Sequence, residues 1–150
     1  MRTALQLAPL LYQRPGNLRE MEWSEINLDV SLWTISSAKM KRTKMEKERG
    51  EAHVVPLPVQ AVELLRNLYP LTGHGLFVFP GERSHDRPMS DNSVRSALYA
   101  LGFGKEQTWH GLRASARTMM VDQLNFDPLA IEVNLAHAVK DANGGSYNRI

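Results

Sequence analysis

Leu32-Trp33-Thr34-Ile35-Ser36 and His53-Val54-Val55-Pro56-Leu57 decide the architecture. In the first segment bulky residues fall on alternate positions, the two-residue period of a strand. The second reads as its partner. The stretch between them carries Lys39, Lys41, Arg42, Lys44, Lys47 and Arg49, and is expected to be a long, basic hairpin loop. A small antiparallel sheet is thereby set among segments of a different period.

Those other segments are helical. Leu5, Leu7, Leu10 and Leu11 follow a loose helical pattern that Arg14-Pro15-Gly16 breaks. Pro15 suits the first turn of a new short helix reaching about Met21. Pro58 opens a helix with Val59, Val62, Leu65 and Leu68 on one face. Leu76-Phe77-Val78-Phe79 is a short buried segment closed by Pro80-Gly81, and a polar loop runs over 81–88. Ser90-Asp91-Asn92 caps a helix carrying Val94, Leu98 and Leu101, which Gly102 ends. Further helices are expected over 111–124, from Pro128 through Ile131 and Leu135, and around Tyr147. Trp23, Trp33, Met119 and Met120 are assigned to the core. The sum is a mostly helical α+β domain with a small sheet.

At 150 residues the chain is one domain or part of one. A hydrophobic content of 43% supports a core, and a mean hydropathy of −0.34 with 23% charged residues fits a soluble protein. There is no cysteine, which excludes disulfides, thiolate metal sites and cysteine nucleophiles. The net charge is only +2, but the basic stretch at 39–49 can bind phosphates even so. The apolar run over 4–12 is interrupted by Gln6 and Pro9, is too short to span a bilayer and lacks a signal-peptide cleavage region. It reads as the end of a core helix, so the chain is expected to be a fragment, cut at both ends.

Two arginines, two histidines and a late tyrosine are what a metal-free phosphodiester exchange needs. Charge builds on the non-bridging oxygens as phosphorus becomes pentacoordinate. Arginine grips two such oxygens and keeps its charge. Arg14, at a loop-to-helix junction, and Arg113, near a helix start, can therefore replace a metal ion as electrostatic stabiliser. His110 lies three residues before Arg113 on the same helical turn, where it can hold an oxygen or exchange a proton. His137 can add a further donor. Tyr147 would be the nucleophile, and its phenol, with an ordinary pKa of about 10, needs positive surroundings to ionise. A lysine would protonate the leaving 5′ oxygen, and Lys39, Lys41, Lys44 and Lys47 are all candidates. His53, His74 and His85 are isolated and have no role assigned; His53 has no partner at metal-ligand spacing.

These segments, taken in order, resemble the catalytic domain of a tyrosine recombinase of the phage-integrase type found in prophages, satellite phages and genomic islands. The resemblance runs from Arg14-Pro15-Gly16-Asn17-Leu18-Arg19 and Trp23-Ser24-Glu25-Ile26 through Ala38-Lys39-Met40-Lys41 and His53-Val54-Val55-Pro56-Leu57. It continues in Thr108-Trp109-His110-Gly111-Leu112-Arg113, Leu135-Ala136-His137 and Tyr147-Asn148-Arg149. It covers nearly the whole chain.

The resemblance implies that Arg14 and Arg113 stabilise the scissile phosphate, and that Lys41 is the general acid. It implies that His110 acts in proton transfer, that His137 hydrogen-bonds the phosphate and that Tyr147 forms a 3′-phosphotyrosine. The implied activity is site-specific DNA recombination, integrating or excising a mobile element. No cofactor and no metal are implied. The implied partners are double-stranded DNA attachment sites and DNA-bending accessory proteins, with a monomer in solution and a tetramer on paired sites. No membrane is involved, and the implied location is the bacterial cytoplasm, at the nucleoid. Family members carry N-terminal DNA-binding domains, and these are expected to lie outside residues 1–150, which are read as a catalytic-domain fragment.

The chain departs from the family at Asn17, where an acidic residue is usual, and in its longer, lysine-rich hairpin loop. Gly144-Gly145 predicts a mobile tyrosine segment, since each glycine costs a helix about 1 kcal/mol relative to alanine. Two other readings compete: a catalytically impaired DNA-binding remnant, and strand relaxation of the type I-B topoisomerase kind.

Overall fold

The computed structural model describes residues 1–137, together with the backbone of two short strands at Val139–Lys140 and Ser146–Tyr147. The helices are α1 (Arg2–Leu11), α2 (Pro15–Arg19), α3 (Lys44–Arg49), α4 (Val59–Thr72), α5 (Ser93–Ala100), α6 (Trp109–Asp122) and α7 (Pro128–Asn134). The strands are β1 (Ile26–Asn27), β2 (Leu32–Ile35), β3 (His53–Pro56), β4 (Val139–Lys140) and β5 (Ser146–Tyr147).

β1, β2 and β3 form an antiparallel meander. Trp33 stands opposite Val55, and Ile35 opposite His53. All four are buried, so one face of the sheet lies on the core while Thr34 faces water. The alternation expected for β2 is therefore present, and it also places His53 inside.

α1 buries Ala4, Leu7, Ala8 and Leu11, the spacing of one helical face, and packs against α4 and α6. Pro9 sits on its exposed side. Beneath the sheet and α1 lies the main core, in which Leu7, Met21, Trp33, Ile35, Leu65, Val78 and Val94 have no exposed surface. Each such side chain contributes about 1.5–3 kcal/mol of burial free energy. A second, smaller cluster joins α6 to α7 through Ala116, Met120, Ile131 and Leu135.

Several expectations need correction. The connection between β2 and β3 is not a plain loop. It holds a 3₁₀ turn (Ser37–Lys39) and α3, whose Thr43 and Glu46 form a reciprocal capping box. Val59 lies outside the buried face of α4, which turns Ala61 and Leu65 inward, and it is exposed. Leu76, Leu101 and Met119 are also exposed rather than core. Trp23 is half-buried, packing on Tyr69 edge to face at 5.1 Å. α6 starts earlier than expected, because the Thr108 hydroxyl accepts from the Gly111 amide at 2.8 Å. Tyr147 itself is not helical: Ser146–Tyr147 pairs antiparallel with Val139–Lys140. α5 does end at Gly102, whose φ of 88° suits glycine. Gly144 and Gly145, and hence the expected mobile tyrosine segment, lie outside the described residues, as does the Tyr147 side chain.

Candidate active site

Two guanidinium groups from distant parts of the chain share one electrostatic neighbourhood. Arg14 leads into α2, where Pro15 takes the first helical position. Arg113 lies on the inner side of α6 and is only 6% exposed. Burial and the charge of Arg14 push the Arg113 guanidinium down to about 10, against a smaller opposing pull from Glu132. Burial, and then the charge of Arg42, lower Arg14 as well. Arg42 is held by its own hydrogen bonds, from Nη1 to Ser37 Oγ at 2.8 Å and to the Glu51 carbonyl at 2.7 Å. Arg14 and Arg113 form no salt bridge among the described residues, and Nη1 of Arg113 is buried with no hydrogen-bond partner among them. Gathered, desolvated like charges cost stability unless an anion meets them.

Three side chains join this neighbourhood to the end of α7. Nη2 of Arg113 donates to the Leu135 carbonyl. Buried Gln13, the residue before Arg14, donates from Nε2 to the Leu11 carbonyl at 3.0 Å and to the Asn134 carbonyl at 2.9 Å. His53, on the inner face of β3, meets the same Asn134 carbonyl at 3.1 Å through Nε2. That carbonyl can only accept, so Nε2 carries the proton. The final carbonyls of a helix have no partner within it, and here they are satisfied by residues of three other elements. Burial lowers the His53 pKa; the bond to Asn134 opposes this, and Arg42, Arg113 and Arg14 lower it further. His53, set aside on sequence, is thus a buried bridge of the site. Its phase with Val55 on the strand was the available signal. Gln13 carried none, since its partner lies 121 positions away.

His137 follows α7 through Ala136, whose φ of 54° turns the chain out of the helix. Its Nδ1 lies 2.5 Å from Glu132 Oε2, and Glu132 Oε1 meets Arg117 Nε at 2.5 Å. His110, the second residue of α6, is exposed and makes no side-chain hydrogen bond among the described residues.

The two lysines around Met40 differ sharply. Lys39 Nζ contacts Glu25 Oε1, Glu22 Oε1 at 2.8 Å and the Glu20 carbonyl at 3.3 Å. Burial alone would lower its pKa, but hydrogen bonds and charges from Glu22 and Glu25 outweigh it, and the group is raised. Lys39 is committed to the fold. Lys41 is exposed and has no salt bridge among the described residues. The intervening Met40 is buried, and its Sδ accepts from Asn17 Nδ2 at 3.6 Å. Asn17 therefore braces the base of the Lys41 segment. Lys44 and Lys47 lie exposed on α3. No group of three metal-ligating side chains occurs among the described residues, and none of their helices is long and apolar enough to cross a membrane.

Comparisons with known proteins give the family. The model of the phage integrase family matches residues 1–149. The prophage integrase IntZ of Escherichia coli K12 is 36% identical over 149 residues, covering 99% of this chain and 35% of the relative. The integrase of Enterobacteria phage P4 is 33% identical, covering 97% and 35%. The chain thus spans about a third of the length of these relatives. Among solved structures, the XerA recombinase superposes with a TM-score of 0.72 at 19% identity, over 91% of this chain and 48% of that one. A lambda integrase tetramer bound to a Holliday junction gives 0.62 at 21%, over 92% and 40%. At such identities the superpositions speak for the fold, which is that of tyrosine recombinase catalytic domains. The family is carried by the sequence match along almost the entire chain: this protein belongs to the phage integrase family.

Proposed function

We propose that this chain performs the strand-exchange chemistry of a site-specific tyrosine recombinase, integrating or excising a mobile element at double-stranded DNA attachment sites. The observation that carries the reading is the pairing of Arg14 with buried Arg113, two cations gathered without a carboxylate salt-bridge partner among the described residues. A scissile phosphate supplies the missing charge, and the paired forks stabilise it most as it becomes pentacoordinate. Tyr147 attacks phosphorus, its phenolic oxygen forming the 3′-phosphotyrosine while the bond to the 5′ oxygen breaks. Lys41 gives that oxygen its proton. His137 donates a hydrogen bond to a non-bridging oxygen, and His110 exchanges the phenol proton. Reversal by a 5′-hydroxyl of the partner duplex restores the phosphodiester and frees the tyrosine, so no external energy source is needed. The reading includes a monomer in solution, a tetramer on paired sites, and accessory proteins that bend the DNA.

The test uses a nicked suicide duplex bearing the element's own attachment site. The native protein is expected to form an SDS-resistant protein–DNA adduct, and Tyr147→Phe to bind the duplex without forming one. Binding with no adduct from the native protein would overturn the reading in favour of a DNA-binding remnant.

A further inference from the structure

We propose that Glu132 is a positioning residue that fixes the ring of His137 for the phosphate, with Arg117 as its brace. The proposal rests on the recombinase reading above, in which His137 is a phosphate donor, and it adds two residues that reading does not use.

His137 returns to Glu132 twice. Its backbone N–H donates to the Glu132 carbonyl at 2.9 Å, closing the wide turn after α7, and its Nδ1 lies 2.5 Å from Glu132 Oε2. The other carboxylate oxygen is taken by Arg117 Nε at 2.5 Å, from a neighbouring helix. The carboxylate is therefore clamped between α6 and the residue it orients. Burial alone would raise the Glu132 pKa, but the hydrogen bonds from His137 and Arg117, together with their charges, outweigh it and hold the group below the usual carboxylate range. An ionised carboxylate can only accept. Nδ1 must then carry a proton, and Nε2, which has no hydrogen-bond partner among the described residues, is the nitrogen left for the phosphate; to donate there it too must carry a proton, so the donating ring is the imidazolium, the form that pairs with the carboxylate.

Without this clamp the imidazole can turn over and exchange its nitrogens, because the torsion that orients the ring is broad and nearly two-fold. Glu132 also pulls against the loss of charge at Arg113.

The experiment is a double-mutant cycle in the native protein, read as single-turnover cleavage of the suicide duplex. DNA affinity and thermal melting are measured on the same samples. Glu132→Ala is expected to slow cleavage about 10–100-fold, the range for residues that orient a functional histidine, with DNA affinity unchanged. Glu132→Gln, which keeps an acceptor for Nδ1, is expected to recover part of that loss; it also carries the test if the alanine variant fails to fold. Adding Glu132→Ala to His137→Ala is expected to cost nothing further. Multiplying losses, or an unslowed Glu132→Ala, would overturn the proposal. Nitrogen-15 spectra of the His137 ring give a readout independent of cleavage: Nδ1 protonated and hydrogen-bonded in the native protein, and that hydrogen bond lost in Glu132→Ala. A native protein that forms no adduct removes the recombinase reading and the phosphate role with it. The ring spectra then decide the Glu132–His137 pairing separately.

Discussion

The two regions that supply the candidate site are held together by different forces. Arg14, at the head of α2, and Lys41, in the β2–β3 connection, border a core of the sheet, α1 and α4 in which Leu7, Trp33, Ile35 and Leu65 are wholly buried. Arg113 stands on α6 and His137 just after α7, a pair whose own fully buried apolar cluster is Ala116, Met120, Ile131 and Leu135 among the described residues. The outer side of that pair leaves Met119, Leu124, Phe126 and Leu129 exposed. Apolar burial sets the first region. The end of the second is tied to the first by hydrogen bonds, from Gln13, His53 and Arg113 to the last carbonyls of α7. Regions with few buried apolar contacts open locally at lower free energy than the core does. Trp109 and Leu112 of α6 pack against the main core, so Arg113 is held by apolar packing as well, and the polar ties bear most on the end of α7.

The largest effect is expected at Arg113, which makes a tie and is proposed to meet the phosphate. Arg113→Gln should lower the rate of adduct formation by about 10²–10³-fold, the usual loss when one donor to a developing oxyanion is removed. Fluorescence-detected DNA binding should change far less, because remaining phosphate contacts persist. Equal loss of binding and cleavage would mean that Arg113 serves affinity alone.

Next comes the arm itself. Leu135 is 1% exposed, and truncation to alanine should cost about 2–5 kcal/mol. Native-state hydrogen exchange should show protection falling in α6 and α7 while β2 and β3 keep theirs. Uniform loss across the chain would show that the two regions unfold as one.

A smaller pair of effects compares neighbours on the firm region. Lys39→Met should destabilise by about 1–3 kcal/mol, because Glu22 and Glu25 lose a shared partner. Lys41→Met should leave chemical denaturation within about 0.5 kcal/mol of the native value, as exposed substitutions do, yet abolish cleavage of an ordinary 5′-oxygen substrate. The reverse pattern would make Lys39 the general acid.

The sequence made the first region more legible than the second, for physical reasons. Strand alternation in Leu32–Ile35 and Gly102 after α5 are local signals, written within a few residues of what they control. The helix in the β2–β3 connection was equally local, since Thr43-Lys44-Met45-Glu46 is a capping-box pattern, but its lysines read first as a solvated loop. Val59, Leu101 and Met119 are apolar and in phase, or nearly so, but lie beyond the edge of what the core covers; composition cannot show where a neighbour stops. Among the site residues, Arg14, Arg113 and His137 stood out through their motif order. Gln13, His53 and Glu132 did not, because each acts through a partner that only the fold brings near. The commitment of Lys39 to Glu22 and Glu25 has the same character, as those residues meet across a turn of the meander.

His53 offers the finest test of the polar ties, through pH. Its folded pKa lies below the ordinary histidine value of about 6.5, first because of burial. Below that value the unfolded chain binds the proton more readily than the folded one, so the proton favours unfolding. The stability associated with neutral His53 is therefore complete above about pH 6.5, and is lost as pH falls from there toward the folded pKa. Protonation also adds a cation beside Arg42, Arg113 and Arg14. Urea unfolding at a series of pH values should show this decline in the native protein. In His53→Gln, where the amide can still donate to the Asn134 carbonyl, the decline over this window should flatten, with stability at pH 7.5 changed by about 1 kcal/mol or less, the net worth of one hydrogen bond. An unaltered slope would assign the titration to other groups and leave His53 a packing residue of β3. A flattened slope accompanied by slower cleavage below pH 6.5 in the native protein alone would show that the tie between β3 and α7 sets the geometry of the phosphate site.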